Sequence, residues 1–571
     1  MAMFDSIVEA VRTHARCQER SRLIFPGERI ELSYADLWTR AGGHAAGLRN
    51  HGVKAGDRLA LMMVNNTDTV ILTVAAMRLG CTIVPLVYRP GLKVDGADAI
   101  AIANAARAGR AKWCVAPAAA IETLHGVFKK HSLALEVIPA GDLRCPDEPD
   151  ANTQAFAGEW PVLLQFSAGS TGEPKGILLT AGNLLSNVAG IYSRIRALAG
   201  DRLYSWLPLY HDMGLVGGLF TCFYAGGTMI LSTPTDFIRN PLGWLQGMSE
   251  FRATITVAPQ FAYGLCLAKS EVAWPSISGC DLSSVRLMLN GAEHVDYDAC
   301  ERFEREFGRL GLRRHAIQPS YGLAENCAAV SLRDPETPVA VRYFRRSDLH
   351  NVPPPEDGAA GLMKLAANGT PLAGTQVRIG DGTNPETPGE IYVSGPATVR
   401  MMTDSSGELT PAGTQGWVPT GDIGVVLDGE IYVVGRSKEI IKRGGRTFSP
   451  ADIEQAVHSV LPSSMCGAAV IGYLETATGS EELAVVVEYP ARKSDATLKD
   501  RIRLRLLSEF QLAPHQVWVV LPGEIPRTSS GKIRRVLLRD AVASGRLREM
   551  VRFHPAFTDG TEPLEIARAA T

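Results

Sequence analysis

Continuous apolar runs alternate with amphipathic ones along the first third of the chain. "RLALMMV" reads as a buried strand, "TDTVILTVAAMRLG" as a helix closed by glycine, and "CTIVPLV" as a second strand. The same order returns in "AKWCVAP", "AAIETLHGVFKKH" and "ALEVIPA". Uninterrupted apolar strands separated by helices indicate parallel sheets covered on both faces. The alanine-rich residues 98 to 120 have the spacing of a packed helix.

Further along, "VRLMLNGAEHV" and "RRHAIQPSYGLAEN" each run from a short strand into a polar, glycine-containing loop. From about Val377 to Gly435 the pattern changes. Short segments such as "TQVRIG", "GEIYVSG" and "GEIYVVG" are divided by glycine turns, as in a small β-rich subdomain. After Gly435 a helix ("ADIEQAVHSV"), strands ("CGAAVIGYL", "EELAVVVEYP") and a second helix follow. In that second helix Leu498, Ile502, Leu506 and Phe510 mark one apolar face. The expected architecture is α/β. A large N-terminal domain over 1–435 has doubly wound parallel-type sheets plus a β-rich subdomain. A small mobile α+β domain over 436–571 is hinged at "GRSKE", Gly435 to Glu439.

Composition narrows the function. The 58 basic and 60 acidic residues among 571 leave a formal charge of −2, which gives no broad electrostatic case for nucleic acid. The ten cysteines form no C-x-x-C pair, and several sit in apolar stretches, as reduced thiols in cytosol do. "TVILTVAAMRLGCTIVPLV" is interrupted by Arg78 and a Leu-Gly-Cys break, so it reads as helix then strand rather than a membrane span. These features fit a soluble cytoplasmic protein.

The chemistry-bearing stretch is "QFSAGSTGEPKG". Gly169 and Gly172 free the backbone to turn N–H groups toward an anion, Ser167, Ser170 and Thr171 add hydroxyls, and Lys175 adds a positive charge. It is not the P-loop G-x-x-x-x-G-K-[ST], because Pro174 precedes the lysine and Gly176 follows it. Taken alone, it reads equally well as a surface turn rich in small residues.

Its companions decide between the two. "FSAGSTGEPKG", "LPLYHDMG", "NGAE", "SYGLAE", "PTGDIG", "VGRSKEIIKRGG" and "PRTSSGKIRR" stand in the order found in adenylate-forming enzymes, and the resemblance runs from about residue 25 to about 540. It implies that the loop binds the phosphates of ATP. "SWLPLYHDMGLVGG", "PQFAYGLC" and "DLSSVRLMLNGAEHV" resemble fatty acyl-AMP ligases, whereas "KRGGRTFSPADIE" is closer to acyl-CoA synthetases. "RYFRRSDLHNVPPPEDGAAGLMKL" stands where the acyl-AMP ligase branch carries an inserted segment.

By resemblance, Lys532 supplies a cation to the phosphates and Glu325 binds Mg²⁺. Asp422 accepts from the ribose hydroxyls, and Tyr321 stacks on adenine. Asn290, Gly291 and Ala292 line the base, with Glu293, Ser320 and Gly322 in the same nucleotide-binding set. Arg436 reaches ribose or phosphate, and Lys438 is the pivot. His211 stands between a carboxylate tunnel and the nucleotide; its other reading is a structural histidine. Where peptide-synthetase relatives place an aspartate for a substrate amine, this loop is histidine-led and continues apolar as "MGLVGGLFTCFYAGG", which favours a lipophilic acid. Gly444 and Gly445 leave room for a pantetheine arm, with Lys442, Arg443 and Arg446 nearby for CoA phosphates. The implied reaction makes acyl-AMP, then a thioester with CoA or the phosphopantetheine of an acyl carrier protein. The other readings are an enzyme that performs only the acyl-AMP to thioester half-reaction and a non-catalytic nucleotide-binding protein.

Overall fold

The computed structural model describes residues 3–17, 20–89, 91–146, 156–167, 175–198, 200–335, 337–346, 348–355, 361–443, 446–462, 466–474, 481–491, 495–528 and 531–557. The chain divides into two compact units: Met1–Arg342 with Leu365–Val434, and Tyr343–Lys364 with Gly435–Thr571.

Two large sheets organise the first unit. In the nine-stranded sheet, Leu287–Gly291, Ile255–Pro259, Arg202–Ser205, Thr228–Leu231 and Arg22–Phe25 lie side by side and parallel. Ile317–Tyr321 extends this parallel set beyond Leu287–Gly291. In the eight-stranded sheet, Pro161–Ser167, Thr82–Val87, Arg58–Met63, Trp113–Ala116 and Glu136–Pro139 are parallel, and antiparallel strands complete one edge. Gln376–Ile379, Gly389–Ser394, Val418–Leu427 and Glu430–Arg436 form the β-rich subdomain.

Local chemistry accounts for the elements. Asn66 caps the helix Thr67–Leu79 by accepting from Thr69 N, and Gly80 closes it at φ +79°. That helix is buried on nearly every side, which is why Val70 to Met77 is apolar apart from Thr73. Arg78, the charge that interrupts the run, is 4% exposed; its guanidinium donates to Trp38 O at 2.6 Å and lies 3.8 Å over the Trp38 ring. The alanine-rich run is not one helix. It is α-helical over Ala97–Ala108, turns at Gly109 and Arg110, enters the sheet as the strand Trp113–Ala116 read in "AKWCVAP", and ends in a 3-10 turn at Ala118–Ala120. Alanine spacing carries helix propensity, but the Gly-Arg pair and a buried Trp-Cys-Val stretch override it. All ten cysteines are free thiols. Among the described residues no helix is long and apolar enough to cross a membrane.

The second unit has a three-stranded sheet, Ala468–Leu474, Glu481–Glu488 and Gln516–Val520, covered by the helices Pro450–His458 and Leu498–Phe510. Leu498, Ile502, Leu506 and Phe510 are all fully buried, as their spacing requires. Tyr343–Lys364 belongs here although it lies nearly one hundred residues earlier in the chain. Arg346 is what fastens it. Its guanidinium donates to both Asp452 carboxylate oxygens (2.7 and 3.0 Å) and to Glu509 at 3.3 Å, and it lies 4.1 Å over the Phe510 ring.

The Arg346 and Asp452 side chains are 6% and 9% exposed. Removing one partner therefore leaves an uncompensated buried charge. Arg346→Ala is expected to destabilise the second unit by about 3 kcal/mol, and Arg346→Met combined with Asp452→Leu by much less. Chemical denaturation of the variants checks this, and an Arg346→Ala curve that overlays wild type refutes it.

Candidate active site

The glycine- and serine-rich stretch joins two antiparallel strands, Pro161–Ser167 and Lys175–Thr180, with Ser167 opposite Lys175. Gly169, Ser170, Thr171 and Gly172 lie outside the described residues, as does the Ser167 side chain. Lys175 is exposed at the start of the return strand. Gly176 has no room for a Cβ, which would meet the Thr403 hydroxyl and, at 3.0 Å, the Phe166 ring.

Two buried amides fix what stands beside this hairpin. Gln165 Nε2 donates to Tyr210 O at 2.8 Å. Asn65, just past the strand Arg58–Met63, donates to Leu207 O (2.8 Å) and Ser232 O (2.9 Å) and accepts from Leu209 N (3.1 Å). Together they hold Leu207–Tyr210 and so place His211, half-buried, at the start of a short helix. Its ring centroid is 4.8 Å from that of Tyr210. The next turn, Leu215–Phe220, is π-helical, a geometry concentrated at functional sites. Leu209, Leu215 and Val216, which flank the His211–Asp212 loop, share one buried apolar cluster with Ala324 and Cys327, on either side of Glu325.

The neighbouring strand ends Leu287–Gly291 and Ile317–Tyr321 form the next part of the site. Ser320 Oγ donates to Asn290 O at 3.1 Å, and a Cβ on Gly291 would run into that hydroxyl. Ala292 has φ +69°, a left-handed conformation that a non-glycine residue holds only at a cost. Asn290 is fully buried, and its Nδ2 donates to Gln260 Oε1 at 2.6 Å and to Cys300 Sγ at 3.3 Å. Its amide thus points into the core, leaving the backbone of Gly291 and Ala292 at the rim. Glu293 accepts from Phe261 N at 3.1 Å.

Tyr321 OH donates to Asp422 Oδ2 at 2.7 Å, with the two residues 8% and 5% exposed. Asp422 is braced in turn, because Thr420 Oγ1 accepts from Asp422 N (3.1 Å) and donates to Ile391 O (2.7 Å). Gly322 packs against the Ala328 carbonyl so closely that no Cβ fits. Glu325 is half-buried on the turn Ala324–Asn326, held by Val399 N donating to Glu325 O (2.8 Å) and Thr398 Oγ1 donating to Asn326 Oδ1 (2.8 Å).

The first unit thus places His211, Gly291, Ala292, Ser320, Tyr321, Gly322 and Glu325 at or beyond the carboxyl ends of its parallel strands, and Asp422, inside the strand Val418–Leu427, joins them through Tyr321. Ligands of open α/β sheets bind outside the carboxyl ends of the strands, where these residues lie. The pattern of the family described as "AMP-binding enzyme" matches residues 11–403. The chain belongs to the adenylate-forming enzymes. A Moorena producens protein named as a medium-chain-fatty-acid–[acyl-carrier-protein] ligase, JamA, is 32% identical over 424 residues, 70% of each chain. A Mycobacterium tuberculosis protein provisionally named a fatty-acid–CoA ligase, FadD25, is 31% identical over 546 residues, covering 88% of this chain and 90% of its own. A structure from a study of fatty acyl-adenylate ligases of E. coli and L. pneumophila superposes with a TM-score of 0.85 at 27% identity, over 95% of this chain and 98% of that one.

In the second unit, Lys532 is exposed on a tight turn closed by Thr528 N donating to Lys532 O (2.7 Å) and Lys532 N donating to Thr528 Oγ1 (3.1 Å). Arg436 and Lys438 are exposed, and Glu439 N and Ile440 N both donate to Arg436 O at 3.0 Å. Gly444 and Gly445 lie outside the described residues, between the paired strands Ile441–Arg443 and Arg446–Phe448. Arg443 is engaged by Glu482 and Ala513 O, each at 3.0 Å, whereas Lys442 is exposed.

Motif reading passed over Asn65 and Gln165, the two residues that place His211. The one signal available was an amide at or just beyond the end of an apolar strand. For the Tyr321–Asp422 pair, losing a hydrogen bond to a charged group is worth about 1.5 kcal/mol. On the ribose role that the family implies for Asp422, Tyr321→Phe is expected to raise KM for ATP roughly tenfold with kcat little changed. Steady-state kinetics in ATP check this; an unchanged KM means that Tyr321 does not set Asp422.

Proposed function

We propose that the protein activates a lipophilic carboxylic acid with ATP, forming acyl-AMP and pyrophosphate, and then passes the acyl group to a pantetheine thiol. The observation that best supports this is the Tyr321–Asp422 pair beside the strained Gly291–Ala292 turn. It offers an aromatic ring, a carboxylate and bare backbone in one small space, the donor set that an adenosine needs.

In this reading Asp422 accepts from ribose hydroxyls, Tyr321 flanks the base, and the hydroxyls and backbone of "SAGSTGEPKG" bind the phosphates. A substrate carboxylate oxygen attacks the α-phosphorus; the new P–O bond forms as the bond to the β-phosphate breaks, and pyrophosphate leaves. Lys532 steadies the negative charge that builds on the transferred and bridging oxygens. Glu325 suits Mg²⁺, which takes one or two carboxylates and fills its other positions from phosphate and water. Such an ion would neutralise phosphate charge. Among the described residues no group of three or more His, Cys, Asp and Glu gathers to hold a metal. In the second step a thiolate attacks the acyl carbonyl and AMP leaves.

The lipophilic acid is supported by the apolar chain that follows His211, where Leu215, Val216, Leu219, Phe220 and Phe223 are all buried. Trp206 stacks flat on Phe237 (3.9 Å, 4°), and Phe261, whose N–H holds Glu293, packs edge-on against both. The names of JamA and FadD25 point the same way, toward fatty acids, and differ in the acceptor.

Pyrophosphate release on adding ATP and a graded series of fatty acids tests the first half-reaction, and no release with any chain length overturns it. Lys532→Ala is expected to slow that release by about a thousandfold while sparing thioester formation from supplied acyl-AMP. A wild-type rate removes Lys532 from the mechanism. For the acceptor, free CoA is expected to be acylated. An enzyme that forms acyl-AMP, ignores CoA and loads only a holo carrier protein instead belongs with the acyl-AMP ligase branch.

A further inference from the structure

Arg535 opens the helix Arg535–Ala543, where the positive end of the helix dipole disfavours a cation. The residue before it, Arg534, makes no side-chain cap. Helix formation therefore does not account for this guanidinium, but its partners do. Nη1 donates to Glu439 at 2.8 Å, while Nε and Nη2 donate to the two oxygens of Glu454 at 3.0 and 2.6 Å. The Arg535, Glu439 and Glu454 side chains are 18%, 23% and 9% exposed.

The two carboxylates come from different places. Glu454, on the helix Pro450–His458, also accepts from Val470 N at 2.8 Å and so ties Arg535 to the sheet of the second unit. Glu439 is the residue after Lys438, in the turn closed on Arg436 O. Arg535 itself lies three residues beyond Lys532. The chain between them is pinned by Arg534 N donating to Pro526 O at 2.9 Å and by the Thr528–Lys532 bonds.

We propose that Arg535 is a positioning residue that joins the turn at Lys438 to the loop of Lys532. With Glu439 clamped, a change in φ and ψ at Lys438 turns the lysine loop as a rigid part instead of being absorbed by the residues after the pivot. The inference rests on the assignment of Lys532 to acyl-AMP formation. Arg535 touches no reacting atom in this account, since it acts through Lys532. Glu454 makes the fold contact, and Glu439 makes the contact that serves catalysis.

The test compares Glu439→Gln, Glu439→Asp and Glu454→Gln in the full chain, with Lys532→Ala as reference. Glu439→Gln is expected to lower kcat for pyrophosphate release tenfold or more, with KM for ATP and for the acid unchanged and a wild-type melting temperature. Glu439→Asp, which keeps the charge, should recover part of the rate, while Glu454→Gln should lower the melting temperature. Adding Glu439→Gln to Lys532→Ala should cost nothing further, because the lysine to be positioned is already gone. A wild-type kcat for Glu439→Gln, or a further loss on top of Lys532→Ala, overturns the positioning role while leaving the proposed reaction standing. A wild-type rate for Lys532→Ala overturns the assignment of Lys532 and the positioning role together, and no pyrophosphate release from the wild-type enzyme overturns the proposed reaction.

Discussion

The carboxyl ends of the two large sheets are held together by amide side chains, and the site depends on that join. Asn65, just past a strand of the eight-stranded sheet, makes three hydrogen bonds to the backbone of the nine-stranded sheet's loops, and Gln165 makes a fourth. Apolar packing alone would press the sheets together without fixing their register, because the hydrophobic effect has no direction. A buried amide left without partners is costly, so each of these side chains tolerates only one arrangement of the loop it serves. His211, at the end of that loop, inherits its position.

The same device recurs at the other strand ends. Ser320 bonds across to Asn290, Tyr321 to Asp422, and Asp422 is braced by Thr420. Glycine supplies the complementary condition: at Gly291 and Gly322 neighbouring groups occupy the space a side chain would need. Closely packed backbone with polar side chains locked by other polar side chains makes a preorganised site, in which little must rearrange when charge develops. Ala292, held at positive φ, shows that this order is kept against a local preference.

The second unit is built on guanidinium–carboxylate contacts. Arg346 fastens a distant segment to Asp452, and Arg535 gathers Glu439 and Glu454. Arginine suits this work because its planar fork binds two acceptors at fixed angles, so it transmits orientation as well as charge.

Much was legible from the chain alone. Unbroken apolar strands separated by helices announced parallel sheets, the glycine-divided segments after Val377 a β-rich part, and the four-residue spacing of Leu498 to Phe510 a helix face that is in fact fully buried. Seven ordered motifs announced the family. These are local signals: backbone periodicity and short loops carry them within ten or so residues. What the tertiary structure decided is who meets whom. Asn65 finds Leu207 142 residues away, Tyr321 finds Asp422 at 101, Arg346 finds Asp452 at 106, and Arg535 finds Glu439 at 96. The alanine-rich run carried two readings, a helix by its alanine spacing and a strand at "AKWCVAP", and the structure holds both, the helix Ala97–Ala108 and the strand Trp113–Ala116. The pattern of hydrophobic positions specifies which face is buried, but a hydrogen bond needs a particular donor at a particular acceptor, and only the folded chain brings those two atoms within 3 Å.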